Sequence, residues 1–402
     1  MRVKQRQTMN EPIPSPIVLS FPFRLFFLLT AFAAVAMVAS WMSYLVGGIP
    51  LPLGWSPVHW HSHEMLFGFT SAAIAGFVLT AMCNWTGAAP LRGWGLLALA
   101  LLWLAGRLAM WCASWLPAEV VAVVDMLFLP VLALYALRIL AKHGNKRNLV
   151  FVGILCLLGL ANLMMHIGFI TGQAKWLNLG ELTAFNLITL MMVIIGGRII
   201  PTFTGNWLRN NGGVTEAIKS SMALDRILLV VTASLIPTAF VTTLPVLTGT
   251  IALIAGALNG VRLWRWSGWL AAREPLLWIL HIGYGWIVLA LILKGLASFG
   301  LLAPSVWQHA LGVGAMATLI LGVMTRVALG HTGRPLALPA FATIIYCAIT
   351  LAAISRVLTA LELLNHRLGL MLAATGWTLA FGLFIFLYWP ILTHPRVDGR
   401  QG

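Results

Sequence analysis

Three histidines stand within five residues in His59-Trp60-His61-Ser62-His63, and Glu64 and Met65 follow directly. Imidazole is a common ligand of copper, zinc and haem iron. A carboxylate beside such a ligand can orient it or carry its proton, the part open to Glu64. On a helix that begins near His59, His59 and His63 share a face at a spacing of four, while His61 points elsewhere and serves a different partner. The bland alternative is a histidine cluster at the membrane surface that binds nothing.

The elements that must position these groups follow from composition. The chain has 402 residues, of which 60% are apolar and 9% charged, with mean hydropathy +0.93. Soluble proteins carry about 25% charged residues, so this chain cannot cover a water-facing surface. A span of roughly 20 residues plus a short connection predicts about twelve crossings. The reading is an all-α, polytopic membrane protein with spans near 24–46, 63–82, 94–115, 117–140, 149–171, 178–200, 224–243, 246–263, 276–298, 305–328, 337–359 and 368–391. A single transmembrane domain then covers 22–392, between terminal tails at 1–21 and 393–402. The apolar run after the polar start is too long for a signal-peptide core and reads as the first span.

The formal net charge of +15 comes from 25 basic and 10 acidic residues. With the N-terminus inside, 20 of the 25 basic residues fall in loops and span ends on the inner side, against Lys175, Lys294, Arg356 and Arg367 outside and Arg107 within a span. This predicts that both termini are cytoplasmic, and it explains the charge as an orientation signal rather than a nucleic-acid footprint. The basic, aromatic stretch Arg262-Leu263-Trp264-Arg265-Trp266 likewise reads as a lipid anchor beside a span. Tryptophans near span ends, among them Trp55, Trp60, Trp94, Trp115, Trp176 and Trp307, read as interfacial belts. Four widely spaced cysteines argue against disulfides, thiolate clusters and covalent c-type haem.

A weak internal repeat links distant spans. Thr86-Gly87, Thr204-Gly205 and Thr332-Gly333 end the second, sixth and tenth spans, 118 and 128 residues apart. Twenty-three positions before each threonine stand His63, Glu181 and His309, and six positions before stand Thr80, Arg198 and Arg326. The pattern suggests three four-helix repeats, with coincidence as the alternative.

Depth decides which groups could meet. At 1.5 Å per residue, His166 falls about 25 Å from the inner start of its span, level with His61, His63, Glu181 and His309 near the outer mouths. The candidate metal ligands are therefore His61, His63, His166, His309 and Glu181, with Glu64 as second shell or proton carrier. An inner group of Arg198, His281, Arg326 and His331 could form a separate site or hold a haem propionate. For His166 and His281 the competing reading is a satisfied polar group in a bundle core. Arg107 and Asp125 flank the turn at Pro117 symmetrically and read as a salt bridge at one depth, with a proton path as the alternative. Gly196-Gly197-Arg198 before Pro201 reads as a close helix contact or a backbone approach to a ligand.

The motifs Pro22-Phe23-Arg24, Trp60-His61-Ser62-His63-Glu64-Met65, Asn84-Trp85-Thr86-Gly87, Gly196-Gly197-Arg198-Ile199-Ile200-Pro201 and Thr325-Arg326 through Gly330-His331-Thr332-Gly333-Arg334 occur in order along the chain. In them the sequence resembles the NnrS family of bacterial membrane proteins, from about residue 22 to 390. The resemblance implies a twelve-span protein of the bacterial cytoplasmic membrane, holding haem b and copper and serving nitric oxide metabolism and nitrosative-stress tolerance. His59 lies outside the matched pattern. A looser likeness joins the repeat to the catalytic subunit of haem-copper oxidases, which draws ligands from its second, sixth, seventh and tenth helices. Here the seventh span lacks histidine and the tenth lacks a His-x-His pair, so that subunit's three-histidine copper site is not reproduced. Three functions stay open: a metal-bearing protein of nitric oxide defence, a secondary transporter or metal exporter, and a quinol-linked nitric oxide reductase. Whether the chain is an enzyme is left open with them, and the partners expected are the lipid bilayer and, for the reductase, a quinol or other electron donor.

Overall fold

A computed structural model describes residues 16–51, 54–241 and 243–400. Most of the expected N-terminal tail, residues 1–15, lies outside the described residues, as do 401–402. Among the described residues the regular secondary structure is all helix, with no strand. Eleven helices are long and apolar enough to cross a membrane: α1 Pro22–Leu45, α2 Pro57–Thr86, α3 Trp94–Trp111, α4 Ala118–Lys142, α5 Lys146–Thr171, α6 Ala174–Asn210, α8 Pro245–Arg265, α9 Pro275–Ser298, α10 Pro304–His331, α11 Thr343–Ala360 and α12 His366–Thr393. Between α6 and α8 the chain returns through α7, Met222–Ala233, and a short continuation, Leu235–Thr238. The sequence predicts one unbroken seventh span; the helix instead breaks at Ser234, and Pro237 denies the next turn a backbone donor.

Local chemistry sets the ends. Five of these helices, α1, α2, α8, α9 and α10, start on proline, whose fixed φ suits the first turn and whose missing N–H would go unused there. Gly87 and Gly172 close α2 and α5 in the left-handed conformation, at φ 71° and 68°. At the opposite end of the chain the Arg396 guanidinium donates to His331 O at 2.7 Å, and the Val397 N–H to Thr332 O at 3.2 Å, so the C-terminal segment folds over the end of α10. The same arginine holds the exposed Asp398 carboxyl below the usual carboxylate range.

Packing order places the repeat. The first and last helices pack together, so the bundle closes on itself. Of the eleven long helices, α2, α6 and α10 are the most enclosed, with 83%, 72% and 67% of their apolar windows buried, against 50% or less for the others. These are the three helices that the Thr-Gly pattern singles out, and the other spans, exposing residues such as Leu101, Val123 and Leu134, form the outer wall. A multi-pass membrane protein results. Its outer wall is apolar because lipid rather than water solvates it.

Two predicted belt tryptophans, Trp94 and Trp115, are exposed, whereas Trp55, Trp60 and Trp307 are buried. Trp55 stacks on Phe169 and meets the rings of His63 and His166, so internal polar groups, not lipid head groups, hold it. Lys294, expected outside, is also buried, with its ammonium hydrogen-bonded to Asn186 and 4.6 Å from the Trp307 ring centre. Helix contact depends on small residues: a Cβ on Gly180 of α6 would strike the Ala161 carbonyl of α5. Gly180→Ala should therefore cost about 1–3 kcal/mol through backbone displacement. A thermal melt of the purified protein checks this, with Gly153→Ala as control, because a Cβ there meets nothing within 4 Å.

Candidate metal centre

The histidine-bearing ends of α2 and α10 share a device. Each runs as α-helix to its histidine, His63 or His309, and then passes into a π-helical stretch, Glu64–Phe69 or Ala310–Ala317. Such segments widen the turn, shift the facing of every residue on their N-terminal side, and concentrate at functional sites. Each carries a glycine against a large neighbour. A Cβ on Gly68 would lie 2.7 Å from Met37 and 2.8 Å from the Arg107 guanidinium, and one on Gly314 2.5 Å from the Trp286 ring.

This shift of phase decides which histidine faces the axis. A cavity of about 160 Å³, walled by α1, α2, α6, α10, α11 and α12, is lined by His61, Glu181 and His309, not by His63. Counting back equal numbers of residues from the threonines crosses π stretches of different length, so equal offsets do not give equal facing. His61 lies parallel to Trp41, ring centres 4.6 Å apart, and neither of its nitrogens has a hydrogen-bond partner among the described residues; Nδ1 is fully buried. Nδ1 of His309 lies 2.7 Å from Ser305 O, which assigns the proton to Nδ1 and leaves the Nε2 lone pair free. Gln308 donates to Glu181 Oε1 at 3.4 Å, and Arg356 of α11 supplies the cavity's cation. Met42, Met65 and Met316 complete the wall, and at Thr70 and Met316 the cavity meets an apolar chamber lined by Met191, Met192 and Met324.

His63 turns the other way, into a buried ionic network among α2, α3, α4 and α5. Its Nδ1 lies 3.1 Å from Glu64 Oε1, and its Nε2 2.8 Å from Asn162 Oδ1 and 3.2 Å from Asp125 Oδ2. His166 Nε2 is 2.9 Å from the same Asp125 oxygen, to which the Asn162 amide donates at 2.7 Å. Arg107 bridges the carboxylates, donating to Glu64 Oε1 at 2.5 Å and to Asp125 Oδ1. The expected Arg107–Asp125 pair is thus present, with Glu64 as a third member. One guanidinium against two carboxylates leaves one negative charge, which a proton on an imidazole or a bound cation balances. His63, Asp125 and His166 each offer a donor atom within 4.8 Å of the others, so the trio is itself a candidate cation site.

The outer histidines are therefore divided: His61 and His309, with Glu181, face the cavity, while His63 and His166 belong to the network. His59 joins neither: it is half-buried, 3.3 Å from Ser56 Oγ and from Asn178 Oδ1. The inner group does not converge. Arg198 donates to Asn148 Oδ1 at 2.6 Å, Arg326 stacks over the Phe203 ring at 4.2 Å, His331 lies against Phe21 and Phe23, and His281 packs on Gly268 with Nδ1 3.1 Å from Leu277 O. Gly196 and Gly197 serve as helix contacts, making room for the Tyr284 ring and the Arg262 guanidinium. Sequence reasoning missed Arg356, whose place near the end of α11 suggested an outer-face charge, and Asn162, which carries no charge to draw notice.

Three enclosed helices around a histidine-lined cavity, inside an apolar wall, define an all-α, multi-pass membrane protein built about a polar centre. The chain matches the NnrS protein family over residues 17–396 and belongs to it. That membership links it to the response to nitric oxide. No curated protein matches it.

Proposed function

We propose that the chain holds a redox-active transition metal in the central cavity, with His61 and His309 as its imidazole ligands, and serves nitric oxide metabolism and tolerance of nitrosative stress in the bacterial cytoplasmic membrane. The observation that carries this reading is a pair of imidazoles from the second and tenth helices, each with an uncommitted nitrogen, lining one cavity. An unpaired buried imidazole is costly and is retained for a task.

The donor set fits both groups that the family resemblance implies. Copper suits two imidazoles beside methionine thioethers, and the cavity as it stands takes one ion with a diatomic ligand. Haem b would be held by the same pair of imidazoles, with Arg356 for a propionate and Trp41 and Trp377 as walls. At about 160 Å³ the cavity is smaller than ordinary ligand pockets, so a macrocycle also needs the adjoining chamber, whose flexible methionines can yield. Either metal supplies electron exchange with a diatomic ligand when bound. The residues' own part is to hold the ring planes through Trp41 and Ser305, to set Glu181 and Arg356 in the cavity wall, and to exclude water with apolar side chains. A neutral diatomic reaches such a centre through lipid, so no aqueous channel is needed.

The test is an optical spectrum with metal analysis of the purified wild-type chain. Stoichiometric copper or a Soret band is expected. Absence of both rejects the proposal and favours transport, which uptake into proteoliposomes would then measure.

A further inference from the structure

At the opposite end of the bundle, on the side of the termini, lies a larger cavity of about 650 Å³ between α2, α5, α6, α7 and α8. Its charged lining is Arg147, Arg198, Arg262 and Asp225. Asp225 is taken: its Oδ1 is 2.9 Å from Arg262 Nε, and Arg262 also donates to Val193 O at 3.1 Å and to Tyr284 Oη at 3.2 Å. That guanidinium reaches its place only because residue 197 is glycine, since a Cβ there would collide with it. Arg147 has no partner among the described residues, and Arg198 has the neutral Asn148 amide and the face of Phe151. Two guanidinium charges therefore line one concavity without a carboxylate to balance them.

Two further features fix the sign and kind of the missing partner. Asn148, directly before the α-helical stretch Leu149–Thr171 of α5, lines the same cavity, so the positive end of that long helix lies beside the two arginines. Trp85, Ile218 and Leu229 form apolar walls beside the arginines. Guanidinium groups match phosphate oxygens in geometry and charge, and basic pockets between spans are suited to lipid head groups. From this we infer that the cavity is a binding site for a phosphate-bearing anion with an apolar portion, Arg147 and Arg198 gripping the phosphate. The site is separate from the proposed metal centre and does not depend on it.

The experiment is thermal unfolding of the full-length protein in neutral detergent, with phosphatidylglycerol, phosphatidylcholine or inorganic phosphate added separately. Phosphatidylglycerol should raise the midpoint by a few degrees and phosphatidylcholine should not. The shift should be largely lost in the Arg147→Gln, Arg198→Gln double variant and kept in Arg92→Gln, a control at an exposed loop position. Should the double variant fail to fold, the single change at exposed Arg147 should still reduce the shift. An equal shift with inorganic phosphate, lost in the same variants, keeps the arginine grip on phosphate but overturns the apolar portion of the ligand. A shift of the same size with phosphatidylcholine, or one that survives both arginine changes, overturns the site.

Discussion

His61→Ala and His309→Ala should each bring bound metal from stoichiometric to background, or alter the spectrum of a bound haem, while the folded protein is still recovered. The reason is geometric. Each imidazole comes from a different helix, each has one nitrogen free toward the cavity, and neither nitrogen of His61 is needed by the protein itself. Removing either should therefore unbalance little of the fold. Metal analysis and optical spectra of the two variants check it, with His143→Ala and His394→Ala as unaffected controls. A variant at Glu181 or Arg356 should shift the spectrum or potential without emptying the site, since these charged groups set the field there. Full metal retention in both histidine variants, with loss in His166→Ala, would move the centre to the His63, Asp125 and His166 trio.

Much of this arrangement was legible in the sequence, because in a bilayer every span must be a helix and every charge must justify itself. Eleven of the twelve expected spans are long helices, and the Thr-Gly spacing picked out the three that are most enclosed. Arg107 and Asp125 were found as a pair because a tight turn fixes equal depth on both sides. What escaped the sequence was rotation about the helix axis. The π stretches after His63 and His309 are invisible to a period of 3.6, yet they send His61 to the cavity and His63 to the network. Lys294 and Arg356 were read as surface charges because depth was judged from span ends, whereas Trp307 and the cavity draw them inward. The break in α7 was hidden because its residues are apolar and only Pro237 marks it.

Arg107→Leu should be the most damaging single change, costing about 3–5 kcal/mol, the usual penalty for leaving a buried ion pair half made. Arg107 is the guanidinium that joins Glu64 to Asp125, both fully enclosed, so its loss leaves two carboxylates facing histidines and each other with no fixed cation. Gly68 adds to the damage, because its bare Cα is shaped to the arginine and a cavity would open beside it. The effect should therefore depend on the carboxylates. Arg107→Leu with Glu64→Gln and Asp125→Asn should recover a substantial part of the lost stability, since the neutral amides remove the uncompensated charge and keep hydrogen-bonding capacity. Thermal melts and the monodisperse yield of the single and triple variants measure this. If the single variant melts with the wild type, the network contributes nothing to holding α2, α3, α4 and α5 together. If the triple variant is no better than the single, the loss is one of packing, and His63 is held by shape and not by charge.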